Sequence, residues 1–342
     1  MEDVTSKSQM AKIRGFERGF MAMHLLNLGK ELGAFEVLNE AQDGITISDL
    51  ASKLNVHEPY LKVWCETAYH FEILDCDDQG RFQLQPFLNE ILGDKTSFKN
   101  YLANISLDIF VGEAMKDAPE YFRSGNQMET FATPEISQMA YGGTKNIYLV
   151  YLFMILPKNE ALDQLFKSGI RFMDIGCGDG SLIVQLANHY QDSLFAGVNP
   201  DVFGFEMSLK KIEEANLAER VAVQNIGGEK LTEENEYDVV NMTLTLHEVP
   251  VAIRPSVVEA AFRILKPGGY LMILDFPYPS KFEDFRNPMY EAGILDQFYE
   301  SVTGAVHLST DQQTDLLTQV GFSNIQRVSI GKGMFEFVTA NK

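Results

Sequence analysis

The chain has 342 residues, enough for two cores rather than one, and its 45% hydrophobic and 22% charged content is that of an ordinary globular protein. No apolar run reaches the ~18 residues that cross a bilayer. With 28 Lys and Arg against 48 Asp and Glu, the formal net charge of -20 leaves no broad basic footprint, which excludes nucleic acid and anionic membrane as main partners. Cys65, Cys76 and Cys177 are odd in number and lack zinc-ribbon spacing, and the first ten residues are not a secretory signal, so a cytoplasmic location is expected.

From Gly15 to Leu38 the residues Phe16, Phe20, Met23, Leu26 and Leu28 recur at helical spacing, with Gly33 as punctuation. Thr46 or Ser48 can cap a short helix ending at Leu54, and a second helix begins at Glu58-Pro59 and buries Leu61, Trp64, Cys65, Ala68 and Phe71. Ile73 to Asp75, a turn at Asp77 to Gly80 and Arg81 to Leu84 then read as a hairpin. Helix, helix, hairpin is a winged-helix pattern. Residues 1–100 carry 10 basic and 16 acidic side chains, a net of -6, and the second helix sets Glu58 and Glu66 against a single Lys62. That balance favours dimerisation over DNA binding as the role of this domain.

Residues 101–160 read as a helical connector rich in aromatics, among them Tyr101, Phe110, Phe131, Tyr141, Tyr148 and Tyr151. Most should fill a core, with Tyr141 and Tyr148 as candidates for a pocket wall. Over 161–342 strands and helices alternate: strands at Arg171 to Asp174, Leu194 to Val198, Val221 to Gln224, Tyr237 to Met242 and Tyr270 to Asp275, with helices at Ser181 to His189, Met207 to Ala215 and Ala252 to Leu265. A helical insertion at 281–303, a helix to Val320 and two closing strands follow. Such alternation builds a doubly wound, mostly parallel sheet.

Gly176, Gly178 and Gly180, in F-M-D-I-G-C-G-D-G-S-L, sit where the first of these strands turns into a helix, where they permit a tight turn and let a ligand approach the backbone closely. Asp174 and Asp179 flank them. Two carboxylates oppose a dinucleotide pyrophosphate and suit a cationic ligand.

D-I-G-C-G-D-G resembles motif I of the class I S-adenosylmethionine-dependent methyltransferases. The resemblance continues through F-A-G-V-N-P-D, Y-D-V-V-N-M and L-K-P-G-G-Y-L-M-I-L-D, and with the winged helix the whole chain resembles the plant-type O-methyltransferases. It implies an α/β, Rossmann-like methyltransferase sheet behind a mostly helical N-terminal domain. It also implies S-adenosyl-L-methionine as cofactor, a small-molecule acceptor and a homodimer built through the N-terminal domain. By position, Asp174, Gly176, Gly178 and Gly180 surround the amino-acid and ribose parts of the cofactor. Where the family places an acid for the ribose hydroxyls this chain has Asn199, with Asp201 able to share the task. In place of an Asp facing adenine it reads N-I-G-G, which leaves backbone near Ile226 and Gly227.

His247, in T-L-T-L-H-E-V-P past the fourth strand, is the candidate general base, and Glu248 would orient it or begin the next helix. A packing role for this histidine is the alternative. His307 is a second candidate for the pocket, although two histidines without a third ligand do not make a metal site, and no metal is expected. Arg123, Lys145, Arg254 and Arg286 are candidate counter-charges for an anionic acceptor. O-methylation is favoured, with S- and C-methylation open. A cofactor-sensing regulator on a degenerate methyltransferase fold is the alternative function.

Overall fold

The computed structural model describes residues 4–128 and 133–342; Phe131 lies outside the described residues. The chain divides into two units, up to Ala114 and from Met115 onward.

The first unit opens with α1 (Ser6–Glu31), whose N-terminus carries a capping box between Thr5 and Ser8. Gly33, at φ 71°, punctuates the segment as expected and starts α2 (Ala34–Glu40). β1 (Ile45–Thr46) leads into α3 (Ile47–Leu54), capped by Thr46, and α4 (Glu58–His70) has Pro59 in its first turn. β2 (Leu74–Cys76) and β3 (Arg81–Leu84) pair antiparallel, and β1 joins them in the order β1-β3-β2. α5 (Leu102–Ala114) packs on α1 and so belongs to this unit, which sets the boundary at 114 rather than 100. Phe35, Leu50, Leu61, Trp64, Cys65 and Leu74 fill its core. The indole N–H of Trp64 donates to the Leu25 carbonyl at 3.0 Å, so the buried ring is both packed and satisfied. The face of α1 bearing Phe16 and Phe20 is different: both rings are 62% exposed.

The second unit begins with α6 (Ala118–Ser124), α7 (Pro134–Thr144), α8 (Ile147–Leu149), a π-helical stretch at Val150–Ile155, and α9 (Glu160–Lys167). Then come β4 (Arg171–Ile175), α10 (Ser181–His189), β5 (Leu194–Val198), α11 (Val202–Glu214) and β6 (Val221–Gln224). β7 (Tyr237–Thr243), α12 (Arg254–Ile264), β8 (Leu265–Asp275), α13 (Glu291–Glu300), α14 (Thr310–Val320), β9 (Ser323–Ile330) and β10 (Phe335–Asn341) complete it. The sheet order is β6-β5-β4-β7-β8-β10-β9, parallel from β6 to β8, with β10 antiparallel between β8 and β9.

The central strands are covered on both faces, which explains their unbroken apolar runs. Phe172, Ile183 and Leu186 pack on one side, and Met173, Val240, Val258 and Ile273 on the other. Strand order reverses between β4 and β7, and the crevice beyond their carboxyl ends is where such sheets bind ligands. The glycine loop, Asn199, Asn225, His247 and Asp275 all follow or end strands of this set.

Candidate active site

Beyond β4, Gly176, Gly178 and Gly180 have φ of 81°, 54° and 74°. Any side chain there is strained and has no room: a Cβ on Gly176 would stand 2.3 Å from Thr245 Cγ2, and one on Gly178 2.8 Å from the Tyr141 ring. Asp174 is buried and accepts a hydrogen bond from Asn241 Nδ2 at 2.8 Å. Tyr151 in turn donates to Asn241 Oδ1 at 2.8 Å. Burial pushes the Asp174 carboxyl up to about 7, with the Asn241 contact working the other way. Asp179 differs, for it is ion-paired with Lys211 and accepts from the Ser181 amide at 3.0 Å. Its charge is thus already answered, and the acidity of the loop toward a ligand rests on Asp174.

At the end of β5, Asn199 Nδ2 donates to Gly178 O and to Tyr141 Oη, each at 3.2 Å. Asp201 caps α11 by accepting from the amides of Phe203 at 3.0 Å and Gly204 at 2.9 Å, and Tyr141 Oη donates to it at 2.8 Å. Tyr141 therefore sits on the glycine loop. Past β6, Asn225 Nδ2 donates to the carbonyls of Asn199 at 2.8 Å and Pro200 at 3.1 Å, which ties the Ile226-Gly227 turn to the end of β5. Tyr148 lines a separate open hollow of about 460 Å³ with Lys145, Ser181 and Lys211.

Past β7 the chain turns through Leu244, at φ 49°, a conformation costing a leucine about 1–2 kcal/mol. Arg254 is buried, and its Nη2 donates to the carbonyls of His247 at 2.8 Å and Val249 at 2.9 Å, while its Nε donates to Val249 O at 3.2 Å. This arginine is spent on the loop rather than left for an anionic acceptor. The loop thus fixed places His247, 3% exposed, with Nδ1 2.6 Å from Asp275 Oδ1. The other ring nitrogen, Nε2, lies 3.4 Å from Glu300 Oε2 and 3.8 Å from Asp296 Oδ2. His307 is stacked on His247 with ring centroids 4.2 Å apart and planes 12° from parallel, and its Nε2 is 2.8 Å from Asp296 Oδ2. Tyr278 also stacks on His307, with ring centroids 5.5 Å apart.

Burial disfavours the imidazolium form of His247, but Asp275 and then Glu300 outweigh it and hold its pKa well above the ordinary value. Asp275 is depressed by the same partnership despite its burial. Glu248 is exposed at the edge of the loop, yet loss of water around its carboxyl and then Glu300 raise its pKa.

His247 and His307, both expected at one pocket, are thus brought into ring contact, while Tyr141 sits on the glycine loop and Tyr148 lines a hollow with Lys145 and Ser181. Asp275, Asp296 and Glu300 were not anticipated. A signal existed for each: Asp275 ends a sheet strand at the ligand edge, and Asp296 and Glu300 stand four residues apart on one helix face.

Residues 166–317 match the family model described as a methyltransferase domain. An uncharacterised methyltransferase of Synechocystis sp. is 28% identical over 174 residues, covering 50% of this chain and 76% of that protein. An O-methyltransferase family protein from Burkholderia thailandensis has the same fold over 99% of both chains, with a TM-score of 0.79 at 14% identity. Human N-acetylserotonin methyltransferase, solved in complex with SAM, matches over 100% of this chain and 99% of its own, with a TM-score of 0.77 at 16% identity.

Fold and glycine loop together define a class I S-adenosylmethionine-dependent methyltransferase. Residues 166–317 are a methyltransferase domain, and the whole chain has the fold of these solved methyltransferases. Among the described residues no helix is long and apolar enough to cross a membrane.

Proposed function

We propose that this enzyme methylates an oxygen of its acceptor and that activation of that oxygen depends on His247 and Glu248. The observation that carries this reading is the buried Asp275–His247 pair at the carboxyl edge of β7 and β8, 2.6 Å apart. A hydroxyl is mostly protonated near pH 7 and must be activated before it attacks, whereas a thioether sulfur needs no such help. S-adenosylmethionine supplies the methyl group on a sulfonium. The residues fit it: a turn of three glycines leaves backbone bare, and the buried Asp174 carboxyl favours a cation beside it. Asp174, Gly176, Gly178 and Gly180 would hold its amino-acid and ribose parts. Asn199, with Asp201 and Tyr141, would meet the ribose hydroxyls, and the Ile226-Gly227 backbone adenine. His307 belongs to the acceptor end of the crevice through its stack on His247.

With the cofactor bound, the acceptor oxygen would take the methyl carbon as the sulfonium became a neutral thioether, and the acceptor proton would pass to the Glu248 carboxylate beside His247. The test replaces His247 by Gln and measures methyl transfer to a panel of phenols and hydroxy acids at saturating cofactor. Turnover should fall about 10²–10⁴-fold with cofactor affinity preserved. A folded, fully active His247→Gln enzyme would remove the residue from the mechanism and favour a thioether acceptor. Two further readings go with this one. The exposed apolar face of α1 supports a homodimer, and three unpaired cysteines support a cytoplasmic location.

A further inference from the structure

Four side chains from three separate segments converge on one point at the acceptor end of the crevice. One ligand atom each from His247, Asp296, Glu300 and His307 lies within 4.8 Å of every other. Four ligands around an ion at about 2.1 Å stand about 3.4 Å apart at tetrahedral angles. The shortest His–carboxylate distances from the two rings, 2.8 Å and 3.4 Å, and the longer ones of 3.8 Å and 4.0 Å, bracket that spacing. We propose that these four residues bind a divalent first-row transition-metal ion.

Three further observations support an ion at this point. The Nδ1–Asp275 contact directs the Nε2 lone pair of His247 into the cluster, the carboxylate–histidine–metal arrangement. Glu300 Oε2 is buried without a hydrogen-bond partner, an expensive state that an ion would relieve. The two imidazoles stack face to face at 4.2 Å, which two imidazolium ions would resist and two neutral ligands to one ion would not. Four carboxylates, those of Glu248, Asp275, Asp296 and Glu300, surround these rings, so a dication also balances the local charge. Paired imidazoles argue against Mg²⁺ or Ca²⁺ and for Zn²⁺ or Fe²⁺.

This inference rests on the methyltransferase reading and names the acceptor class: a molecule with a hydroxyl or enol oxygen able to enter the coordination sphere. His247 is 3% exposed, with Nε2 turned toward the carboxylates of α13, a poor position for taking a proton directly from an acceptor. What the ion supplies is a lower pKa for the acceptor oxygen. The released proton then goes to Glu248, which lies outside the ligand set and reaches solvent.

The experiment measures metal content of the full-length protein as purified, then titrates the chelator-treated protein with Zn²⁺ by calorimetry and with Co²⁺ by visible absorption. One equivalent per chain is expected, with Co²⁺ bands of nitrogen–oxygen coordination. Asp296→Asn, a conservative change at a partly exposed position, should weaken Zn²⁺ binding at least about tenfold. Asp275→Asn, outside the ligand set, should weaken it about 10–100-fold. Both variants should keep cofactor affinity, which reports folding. Absence of Zn²⁺ and Co²⁺ binding, or binding unchanged in Asp296→Asn and in a His247→Ala/His307→Ala double variant, would overturn the site. Full methyl transfer by metal-free protein would likewise overturn it while leaving the oxygen-methylation reading intact. Stoichiometric metal without transfer to any hydroxyl acceptor would support the site and defeat that reading instead.

Discussion

His247 Nδ1 and Asp275 Oδ1 lie 2.6 Å apart in a place almost closed to solvent, so one charged hydrogen bond ties the loop after β7 to the end of β8. The contact fixes which nitrogen of the imidazole faces the crevice. It does so whether that nitrogen meets an acceptor or an ion.

Asp275→Asn keeps the shape and removes the charge. Turnover should fall about 10–100-fold with little change in cofactor affinity, as for loss of an orienting partner. Breaking a buried pair costs about 3–5 kcal/mol, so the melting temperature should drop as well. Wild-type turnover in the Asp275→Asn enzyme would show that the pair serves stability alone.

Gly178 tests the cofactor site. Its φ of 54° and the Tyr141 ring 2.8 Å from a Cβ leave no room for a side chain. Gly178→Arg should abolish S-adenosylmethionine binding in calorimetry while the far-ultraviolet circular dichroism stays native. Retained affinity would place the cofactor elsewhere.

The parallel sheet was legible because period, turn and motif agree from β4 to β8, and Leu194–Val198 and Val221–Gln224 have the expected bounds. The acceptor end was legible only in part. His247 and His307 are 60 positions apart, and nothing local announces that their rings stack. Asp296 and Glu300 sit in an insertion whose composition resembles any solvated helix, and only tertiary packing turns their shared face inward. For Tyr141, aromatic content signals a pocket wall but not its partners: only the fold brings Tyr141 Oη to Asn199 and Asp201 and sets the ring on the glycine loop.

Gly29 is where α1 meets the core of the first unit. A Cβ there would stand 2.6 Å from Trp64 Cζ2 and 2.7 Å from Phe35 Cζ. Gly29→Val should destabilise by about 1–3 kcal/mol through overpacking, and more if Trp64 loses its bond to Leu25. Urea denaturation followed by Trp64, the single tryptophan, reads this directly. An unchanged midpoint would mean that α1 is free to move off the core.

Phe16 and Phe20, both 62% exposed, belong to an apolar face that includes Ile13 at 59%. If this face joins two copies, Phe16→Glu/Phe20→Glu should convert a dimer into a monomer in light scattering at micromolar concentration. A wild-type monomer under the same conditions would refute the dimer.

If Asp174 lies beside the cofactor as proposed, it should make cofactor binding pH-dependent. Burial raises its pKa from 3.8 to about 7, so between about pH 4 and 7 the folded protein holds a proton that the unfolded chain has released. The sign follows: stability falls as pH rises through that window, by at most about 4 kcal/mol, and is flat above it. Cofactor binding runs the other way. A cationic ligand beside Asp174 favours the ionised carboxylate, so affinity should rise about tenfold per pH unit below 7 and level off above. Binding should release a proton, visible as a buffer-dependent enthalpy. Asp174→Asn should flatten both curves, weakening binding at pH 8 and raising stability there relative to wild type. Opposed signs in one variant are what a merely structural carboxylate would not give, since its loss would lower stability and affinity together. A wild-type affinity independent of pH from 5.5 to 8, or an Asp174→Asn enzyme that binds as tightly as wild type at pH 8, would detach this carboxylate from the cofactor.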